Sequence, residues 1–304
     1  MKPAPFQRDI PLARVNALHY LLASRPAVWY HMPHRVMSNE TAFLGASTVF
    51  GKYWTSHSNT FFDYLIDKDN FKLTFGKSFR MMVYLDSAIA NGPVATRKNV
   101  EGDTRATKYL INHLADIKPE FTVFVTTCDM LEPTANENTP TIKQSDDPYV
   151  QNRIDMYEAV NRQYGRVLNV HLTEIASQVM PEFSELLSTI KNPPKGTKKL
   201  PFAPNEYHQF YHADRLMKDV ERCIPLGIPS IIPAAPPLTT TEVVQALAPN
   251  LVKRLREPQE GDPYGSNRTS IHSFQWLDPK DGYQVSKSDQ LALLDFFFGP
   301  NAFM

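Results

Sequence analysis

The hydrophobic positions of this chain follow two alternating patterns over residues 40–175. Short apolar or alternating runs rich in β-branched and aromatic residues predict strands at 41–44, 71–75, 81–85, 121–127 and 167–172. Between them, apolar residues recur at helical spacing over 52–70, 99–117 and 149–164. Strands that alternate with helices build right-handed βαβ units, so the pattern predicts an α/β fold with a mostly parallel sheet flanked by helices.

The pattern changes after residue 176, and many of the 25 prolines fall beyond residue 190. Helical spacing is found at 183–190, 210–224 (after a strand-like beginning) and 288–297, whereas 228–233 is short and extended. Thr239 followed by Glu242 is a capping-box pattern, which predicts the start of another helix.

These changes divide the chain into three parts: an N-terminal arm at 1–39, an α/β domain at 40–175 and a smaller mixed lobe at 176–304, some segments of which return to the core. The arm contains Trp29 and Tyr30 among prolines and histidines. It is either a packing arm on the main domain or a partner-binding arm, since exposed aromatic residues often anchor interfaces.

Composition and charge exclude several classes of protein. The chain has 304 residues, of which 42% are hydrophobic, and can bury a large core. Lys+Arg and Asp+Glu are both 32, so no net charge favours nucleic acid or an anionic membrane, and the basic run at 195–199 is more typical of a solvated loop. No segment reaches the roughly 20 apolar residues of a membrane span. Two cysteines, Cys128 and Cys223, and the lack of a signal-peptide pattern predict a cytoplasmic protein, and no Cys/His spacing predicts a metal site.

The first predicted strand leads directly into the turn Gly45-Ala-Ser-Thr-Val-Phe-Gly51 and then into an amphipathic segment. A strand, a tight glycine turn and a helix start place backbone N–H groups on a pyrophosphate at the helix N-terminus. The same arrangement also occurs where a strand simply packs against a helix. The turn alone therefore does not separate a nucleotide site from an ordinary α/β connection.

Six segments carry a family resemblance. They are the glycine turn at 44–51, Asn-Val-Glu-Gly at 99–102, Val-Phe-Val-Thr-Thr-Cys at 123–128, Asp-Pro-Tyr-Val-Gln-Asn-Arg at 147–153, Phe-Tyr-His-Ala-Asp at 210–214 and Pro-Leu-Thr-Thr-Thr-Glu at 237–242. In this order they resemble the extended short-chain dehydrogenase/reductase superfamily, in its NAD-dependent epimerase/dehydratase branch. The resemblance implies a Rossmann-like domain, NAD or NADP as cofactor, a nucleotide-linked sugar as substrate, and a possible homodimer formed through two helices, the second at 149–164.

The resemblance also implies a cofactor site. Four residues of the turn would contact the pyrophosphate: Gly45, Ser47, Thr48 and Gly51. Lys77 stands where the acid that reads the adenosine ribose is expected, after the predicted strand 71–75, and would suit a 2′-phosphate. Asn99 begins the Asn-Val-x-Gly helix and is assigned to the same site.

By the same resemblance, Tyr149 is the acid/base residue and Arg153 takes the place of a lysine one helical turn later. Arg153 would lower the tyrosine pKa, which is about 10 in water, and hold the nicotinamide ribose. The substrate-orienting position falls on Cys128 or on Thr127, whose hydroxyl is the better hydrogen-bond donor. Plainer roles are a packed tyrosine at a helix start, an exposed arginine and a small buried cysteine.

The chain departs from the family pattern at three places. Thr48 replaces the middle glycine of the turn, no acid ends the predicted second strand, and the segment at 51–81 is one strand–helix unit short, which removes part of an adenine pocket. Two hypotheses remain open. The first is an NAD(P)-dependent epimerase, dehydratase or reductase acting on a nucleotide-linked sugar, and the second is a non-catalytic binding or assembly protein in which cofactor binding is lost.

Overall fold

The computed structural model describes residues 40–57, 62–67, 69–177, 180, 183–260, 265, 267–270, 282–283 and 285–298. These residues belong to one compact unit. The predicted arm at 1–39 lies outside the described residues.

The described residues form short strands and helices in alternation. The strands, in chain order, are β1 (Thr41–Leu44), β2 (Tyr64–Ile66), β3 (Ser78–Phe79), β4 (Met81–Leu85), β5 (Lys118–Pro119), β6 (Thr122–Thr127), β7 (Val167–Leu172), β8 (Glu174–Ala176), β9 (Tyr207–His208), β10 (Phe210–His212), β11 (Ser230–Ile231) and β12 (Leu238–Thr239). The α-helices are α1 (Val49–His57), α2 (Ser87–Asn91), α3 (Pro93–Lys98), α4 (Val100–His113), α5 (Pro148–Gln163), α6 (Glu185–Lys191), α7 (Leu216–Cys223), α8 (Thr240–Leu247) and α9 (Lys287–Phe298).

A six-stranded sheet in the order β11-β7-β6-β4-β1-β2 lies at the centre, and its neighbouring strands all pair in parallel. The chain runs outward from β1 to β2, then crosses to β4 on the other side of β1. The strand order therefore reverses between β1 and β4, which is the position where ligands bind in open parallel sheets, outside the carboxyl ends of the strands. The predicted α/β fold with a parallel sheet is confirmed.

The sheet is buried on both faces because its central strands carry apolar side chains at successive positions. Phe43 and Val83 pack in a cluster on one face, and Ala42 and Met82 in a cluster on the other. Parallel sheets covered by helices on both faces have this continuous apolar character. The same property made the central strands visible in the sequence.

The C-terminal residues build a second apolar cluster that includes Phe210, Leu238, Val244 and Leu294. Helix α8 begins with the predicted capping box, in which Thr239 and Glu242 bond to each other's backbone N–H. Strand β11 leaves this region and joins the central sheet beside β7.

Two predictions between residues 52 and 75 are wrong. Helix α1 ends at His57, and Tyr64–Ile66, predicted as helix, is the edge strand β2. The segment Phe71–Thr74, predicted as a strand, is a 3₁₀ helix in which Phe71 and Thr74 are buried while Leu73 is 69% exposed. A strand would place Phe71 and Leu73 on one face, but three-residue periodicity pairs Phe71 with Thr74, whose hydroxyl donates to the Phe71 carbonyl at 2.6 Å.

Strand β2 ends the sheet on its side in the described part of the chain. Leu65, in the middle of this strand, is 49% exposed. The sheet therefore has one strand fewer beyond β1 than the six-stranded dinucleotide-binding order, in which two strands follow on that side. This agrees with a segment shortened by one strand–helix unit.

Candidate active site

The glycine turn connects β1 to α1 through a conformation that requires both of its glycines. Gly45 has φ of 104°, a value that side-chain-bearing residues rarely adopt. Its N–H and that of Ala46 both donate to the Ile66 carbonyl, at 2.9 and 3.1 Å. A Cβ on Gly51 would lie 1.9 Å from the Gly45 carbonyl oxygen, so only glycine lets α1 approach the turn this closely. Both constraints are those of a dinucleotide-binding turn.

Thr48 precedes the first residue of α1 and caps that helix. Its hydroxyl donates to the Gly45 carbonyl at 2.6 Å and accepts from the Gly51 N–H at 3.1 Å. The first turn of a helix still carries N–H groups that no helical carbonyl accepts, and these favour an anion. Ser47 is exposed on the same turn. Thr48 stands where the family pattern has its middle glycine. The threonine restricts the backbone at this position but supplies a side-chain cap for α1.

Sequence reasoning missed the acidic residue at the end of the second strand. Because β2 ends at Ile66, the next residue, Asp67, stands at the carboxyl edge of the sheet, roughly 20 residues after Gly45, which is the usual spacing of a ribose-binding acid. Its Oδ1 accepts from the N–H groups of Asp69 and Asn70, at 2.8 and 3.2 Å. The available signal was a β-prone Tyr-Leu-Ile run followed by this Asp-x-Asp-Asn turn.

Two residues assigned to the cofactor site have other surroundings. Lys77 places its Nζ 4.3 Å from the centre of the Tyr64 ring. Because Tyr64 is the first residue of β2 and Asp67 follows the last one, Lys77 and Asp67 lie near opposite ends of this strand. The Asn99 side chain accepts from the Gly102 N–H at 3.3 Å and caps α4. The assignment of Lys77 depended on the predicted strand at 71–75, which is a 3₁₀ helix.

A cavity of about 310 Å³ opens at the carboxyl ends of β6 and β7, against the C-terminal residues. Polar side chains from both sides line it, including Arg97, Thr127, Asp129, Glu174, Glu206 and His208. Of the four predicted catalytic residues, Thr127 and Cys128 line this cavity. Tyr149 is only 1% exposed and is not among the lining residues, and its hydroxyl donates to the lining residue Asp129.

Asp129 accepts two hydroxyl hydrogen bonds on the same oxygen. Its Oδ2 lies 2.7 Å from the Tyr149 hydroxyl and 2.8 Å from the Thr127 hydroxyl, both of which donate to it. The short 3₁₀ turn Cys128–Met130 after β6 brings Asp129 back to this position. Burial, the Asp129 charge and this hydrogen bond raise the pKa of Tyr149 well above 10, and the opposing effects of Arg153 and Arg97 are smaller. The arrangement therefore keeps Tyr149 protonated and presents Asp129 to the cavity.

Arg153 is fully buried in an ion cluster. Its Nε lies 3.0 Å from Asp86 Oδ2, and its Nη2 donates to both oxygens of Asp103 at 2.8 Å. Ser87 and Asn152 also bond to this cluster. Arg153 lowers the pKa of Tyr149, as predicted, but burial and Asp129 outweigh its effect, so the net shift is upward. The role of Arg153 in holding a ribose stays a prediction. The alternative of an exposed arginine is wrong, because the residue is 0% exposed.

Cys128 matches its plainer interpretation as a buried residue. Its thiol donates to the His171 carbonyl at 3.1 Å, and burial raises its pKa to about 12. A thiol with this pKa remains protonated near neutral pH. Of the two alternatives at this position, Thr127 has the hydroxyl that takes part in the Asp129 hydrogen bonds.

The C-terminal wall of the cavity contains an ion pair between His208 and Glu174. His208 Nδ1 lies 2.6 Å from Glu174 Oε1, and Nε2 lies 3.1 Å from the Thr240 hydroxyl. Burial alone would lower the pKa of His208, but Glu174 reverses this and the net shift is upward. Glu206, beside them, has a raised pKa because of burial and the nearby Glu174 charge.

The turn fits the adenosine and pyrophosphate half of a dinucleotide, because Gly45 and Gly51 meet the backbone requirements and Asp67 stands at the ribose position. The nicotinamide half differs from the family pattern, since the cation of the Tyr-x-x-x-Lys pair is the buried Arg153. Among the described residues, no group of three or more His, Cys, Asp or Glu is arranged to hold a metal ion. Nor does the described part of the chain contain a helix long and apolar enough to cross a membrane.

Solved structures of sugar-nucleotide enzymes share this fold. The NAD-dependent NDP-hexosamine 5,6-dehydratase TunA, of tunicamycin biosynthesis, superposes with a TM-score of 0.60 at 11% identity, over 86% of this chain and 97% of that one. The dTDP-glucose 4,6-dehydratase DesIV of Streptomyces venezuelae, with NAD bound, gives 0.57 at 17% identity over 86% and 97%. The UDP-glucose 4-epimerase of Thermotoga maritima gives 0.54 at 12% identity over 85% and 98%.

Comparisons at the level of sequence give a different result. No protein-family model and no curated protein matches this chain. At the identities of the structural matches, the comparison shows a common fold. The predicted resemblance to the extended short-chain dehydrogenases/reductases is therefore confirmed for the architecture of the chain.

Proposed function

We propose that this chain, which folds as the NAD-dependent sugar-nucleotide dehydratases and epimerases do, is itself an NAD(P)-dependent epimerase, dehydratase or reductase acting on a nucleotide-linked sugar. The observation that carries the proposal is the convergence of the Tyr149 and Thr127 hydroxyls on one oxygen of Asp129, at the wall of the cavity. The structural neighbours, which include enzymes with NAD or UDP-glucose bound, support the class of ligand.

The residues at the carboxyl edge of β1 and β2 would hold the cofactor. The first-turn N–H groups of α1, together with the backbone at Gly45 and Gly51, suit the pyrophosphate, and Asp67 suits the adenosine ribose. When bound, a nicotinamide cofactor accepts or returns a hydride.

Asp129 is the group that exchanges a proton with the substrate. Its side chain is 35% exposed, whereas Tyr149 lies behind it and donates to it. Both hydroxyl donors bind Oδ2, so a substrate hydroxyl in the cavity would bind the second oxygen, Oδ1, beside the Arg97 guanidinium, whose Nη2 lies 3.7 Å from it. Tyr149 and Thr127 then fix the orientation of this carboxylate and stabilise its charge. This assigns the acid/base role to Asp129 and a supporting role to Tyr149.

The test is Asp129→Asn, which keeps the shape of the side chain and removes its charge. We expect turnover of UDP-glucose or dTDP-glucose in the presence of NAD or NADP to fall by about 100-fold or more, the usual contribution of a general acid/base group. Asp155→Asn, an exposed position of α5 where the native side chain accepts from Gln151, is the matched control. Unchanged turnover in Asp129→Asn would remove this residue from the mechanism.

A second candidate is a non-catalytic binding or assembly protein with the same fold. The burial of Arg153 between Asp86 and Asp103 favours it, because this leaves the tyrosine without the exposed cation of the family pair. Calorimetric titration with NADH and NADPH separates the two candidates. Saturable binding of either nucleotide at micromolar concentrations supports the enzyme, and absence of binding to both supports the second candidate.

A cytoplasmic location and a homodimer are further parts of the proposal. The dimer would use α5, the second of the two helices that the family resemblance implicates. We place the first at α4, which packs against α5 and is linked to it by the hydrogen bond of Asn152 to Asp103. Light scattering of the purified protein at micromolar concentration tests the dimer directly, and a monomer mass would exclude it.

A further inference from the structure

The sequence predicts that Tyr149 and Arg153 act as a pair in the active site, but the cation of this pair does not reach the cavity. In the proposed mechanism Asp129 exchanges the proton, and the Tyr149 and Thr127 hydroxyls hold only one of its two oxygens, Oδ2. Arg153 cannot serve the cavity, because its guanidinium is 0% exposed and bonds to Asp86 and Asp103. Another cation must therefore be considered at this wall of the cavity.

Arg97 lies in the last turn of α3 and lines the cavity. The centre of its guanidinium lies 3.8 Å from the centre of the Tyr149 ring, close enough for a cation–π contact. Its Nη1 lies 2.9 Å from Asp147 Oδ2, and its Nη2 lies 3.7 Å from Asp129 Oδ1. One guanidinium thus contacts the ring of the tyrosine and two carboxylates.

Each of these contacts constrains a different part of the site. Asp147 caps α5 by accepting from the Tyr149 N–H at 2.9 Å, so its ion pair with Arg97 ties α3 to the start of the helix that carries the tyrosine. The guanidinium above the ring limits how the ring can turn. On Asp129, the two hydroxyls bind Oδ2 while Arg97 faces Oδ1, the oxygen that points away from them.

The plain interpretation of Arg97 is a surface ion pair, since its side chain is 44% exposed and such pairs contribute little to stability. Three features argue for more than this. The same guanidinium stacks on a ring that is 1% exposed, faces the carboxylate at the cavity wall, and binds the cap of the helix behind it. A planar, permanently charged group is the side chain that can make all three contacts together.

We infer that Arg97 is the positioning residue of this site: it orients Asp129 and Tyr149 for the proton exchange between Asp129 and the substrate. The inference rests on the proposed function. Arg97 acts through Asp129, so its removal lowers the rate of the chemical step and leaves substrate binding nearly unchanged.

The test compares Arg97→Gln and Arg97→Lys with the unaltered protein, using UDP-glucose or dTDP-glucose with the preferred nicotinamide cofactor. We expect Arg97→Gln to lower kcat by about 10- to 100-fold, as small losses of orientation do, with KM changed by less than about threefold. Arg97→Lys restores part of this loss, because lysine keeps the charge but lacks the plane that stacks on the ring. Arg105→Gln, which alters an exposed residue of α4, is the matched control and keeps full activity.

A double-substitution cycle shows whether Arg97 acts through Asp129. In the Asp129→Asn background, Arg97→Gln has no further effect on kcat, because residues of one unit are non-additive. Asp147→Asn, which keeps a capping acceptor but weakens the ion pair, supplies a variant with milder structural change and is expected to lower kcat less than Arg97→Gln.

Three outcomes overturn the inference while the proposed function stands: an unchanged kcat in Arg97→Gln, a change in KM alone, or full additivity with Asp129→Asn. Failure of the proposed function has a different signature. In that case the unaltered protein shows no turnover with any of these substrates, and the inference falls with it.

Discussion

The Tyr149 hydroxyl donates to Asp129 Oδ2 across 2.7 Å, so its proton faces a carboxylate and not the cavity. Burial and the Asp129 charge together raise the pKa of Tyr149 well above 10. A tyrosine in this state is a fixed donor near neutral pH. In the proposed mechanism, the reactive group is therefore Asp129, in the turn that follows β6, and not Tyr149 on α5.

The Asp67 carboxylate should decide which nicotinamide nucleotide binds. Asp67→Asn retains an acceptor for the Asp69 and Asn70 N–H groups but loses the charge that would bind a ribose hydroxyl. We expect NADH affinity to fall by about 10- to 150-fold, since a hydrogen bond to a charged group contributes about 1.5–3 kcal/mol. The preference for NADH over NADPH should also shrink, because the carboxylate no longer repels a 2′-phosphate. Fluorescence titration measures both affinities.

Asp69→Asn is the control for this experiment, because it removes a charge two residues away without touching the expected ribose position. An equal loss of NADH affinity in both variants would mean that general charge, and not Asp67, determines the affinity.

Gly51 should not tolerate a methyl group. In an ordinary helix, replacing glycine by alanine stabilises the protein by about 0.5–1 kcal/mol. Here the added Cβ would lie 1.9 Å from the Gly45 carbonyl oxygen, so we expect Gly51→Ala to lower the free energy of unfolding by about 1–3 kcal/mol and to weaken NADH binding. Urea unfolding gives the first quantity. Gly165→Ala, where a Cβ meets no atom within 4 Å, should change stability by less than about 0.5 kcal/mol.

The sequence predicted the central strands closely, and the reason is physical. Strands β1, β4, β6 and β7 are buried on both faces, so apolar and β-branched residues occupy nearly every position. Strand β2 has three residues at the sheet edge, and its Leu65 is exposed. Its short apolar run continued the helical spacing of α1, which hid both the strand and the acid that follows it.

The site was predicted only in part for a related reason. Tyr149 and Thr127 could be placed because each follows a recognisable local motif. Their common partner Asp129 depends on a turn after β6 that folds back toward α5, a contact between distant segments. The ion pairs of Arg153 depend likewise on the neighbouring order of β4 and β6, which no local pattern contains.

Removal of Arg153 should destabilise the protein strongly. Arg153→Ala leaves the buried carboxylates of Asp86 and Asp103 without their cation, and breaking such a pair from one side costs about 3–5 kcal/mol. Urea unfolding at pH 7 measures this cost. Arg105→Ala, whose pair with Glu101 is exposed, should stay within about 0.5 kcal/mol of the unaltered protein.

The pH dependence of the Arg153→Ala defect has a defined sign. Burial already raises the pKa of Asp86, and Arg153 opposes that rise. Without the arginine, the folded-state pKa lies still further above the unfolded value, so the folded state prefers the protonated acid. The defect should therefore be smallest near pH 4 and grow as pH rises through the folded-state pKa. A defect that is constant from pH 4 to 8 would contradict this account.

His208 should make stability depend on pH in the neutral range. Glu174 holds its folded-state pKa above the ordinary value of about 6.5. A raised histidine pKa contributes stability that is complete below the unfolded pKa and is lost as pH rises through the folded one. The difference in unfolding free energy between the unaltered protein and His208→Gln should thus be larger at pH 6 than at pH 9. In a Glu174→Gln background, this difference in unfolding free energy should depend less on pH.

The Ile66 carbonyl, which accepts from both Gly45 and Ala46, has a consequence for how this fold can change in length. It links the end of β2 to the glycine turn, and Asp67 is the next residue along the chain. Residues inserted beyond Asn70 would leave that link, and the distance from turn to acid, as they are. A strand and a helix could therefore be added beside β2, at the edge that the described residues leave unpaired, without disturbing the glycine turn.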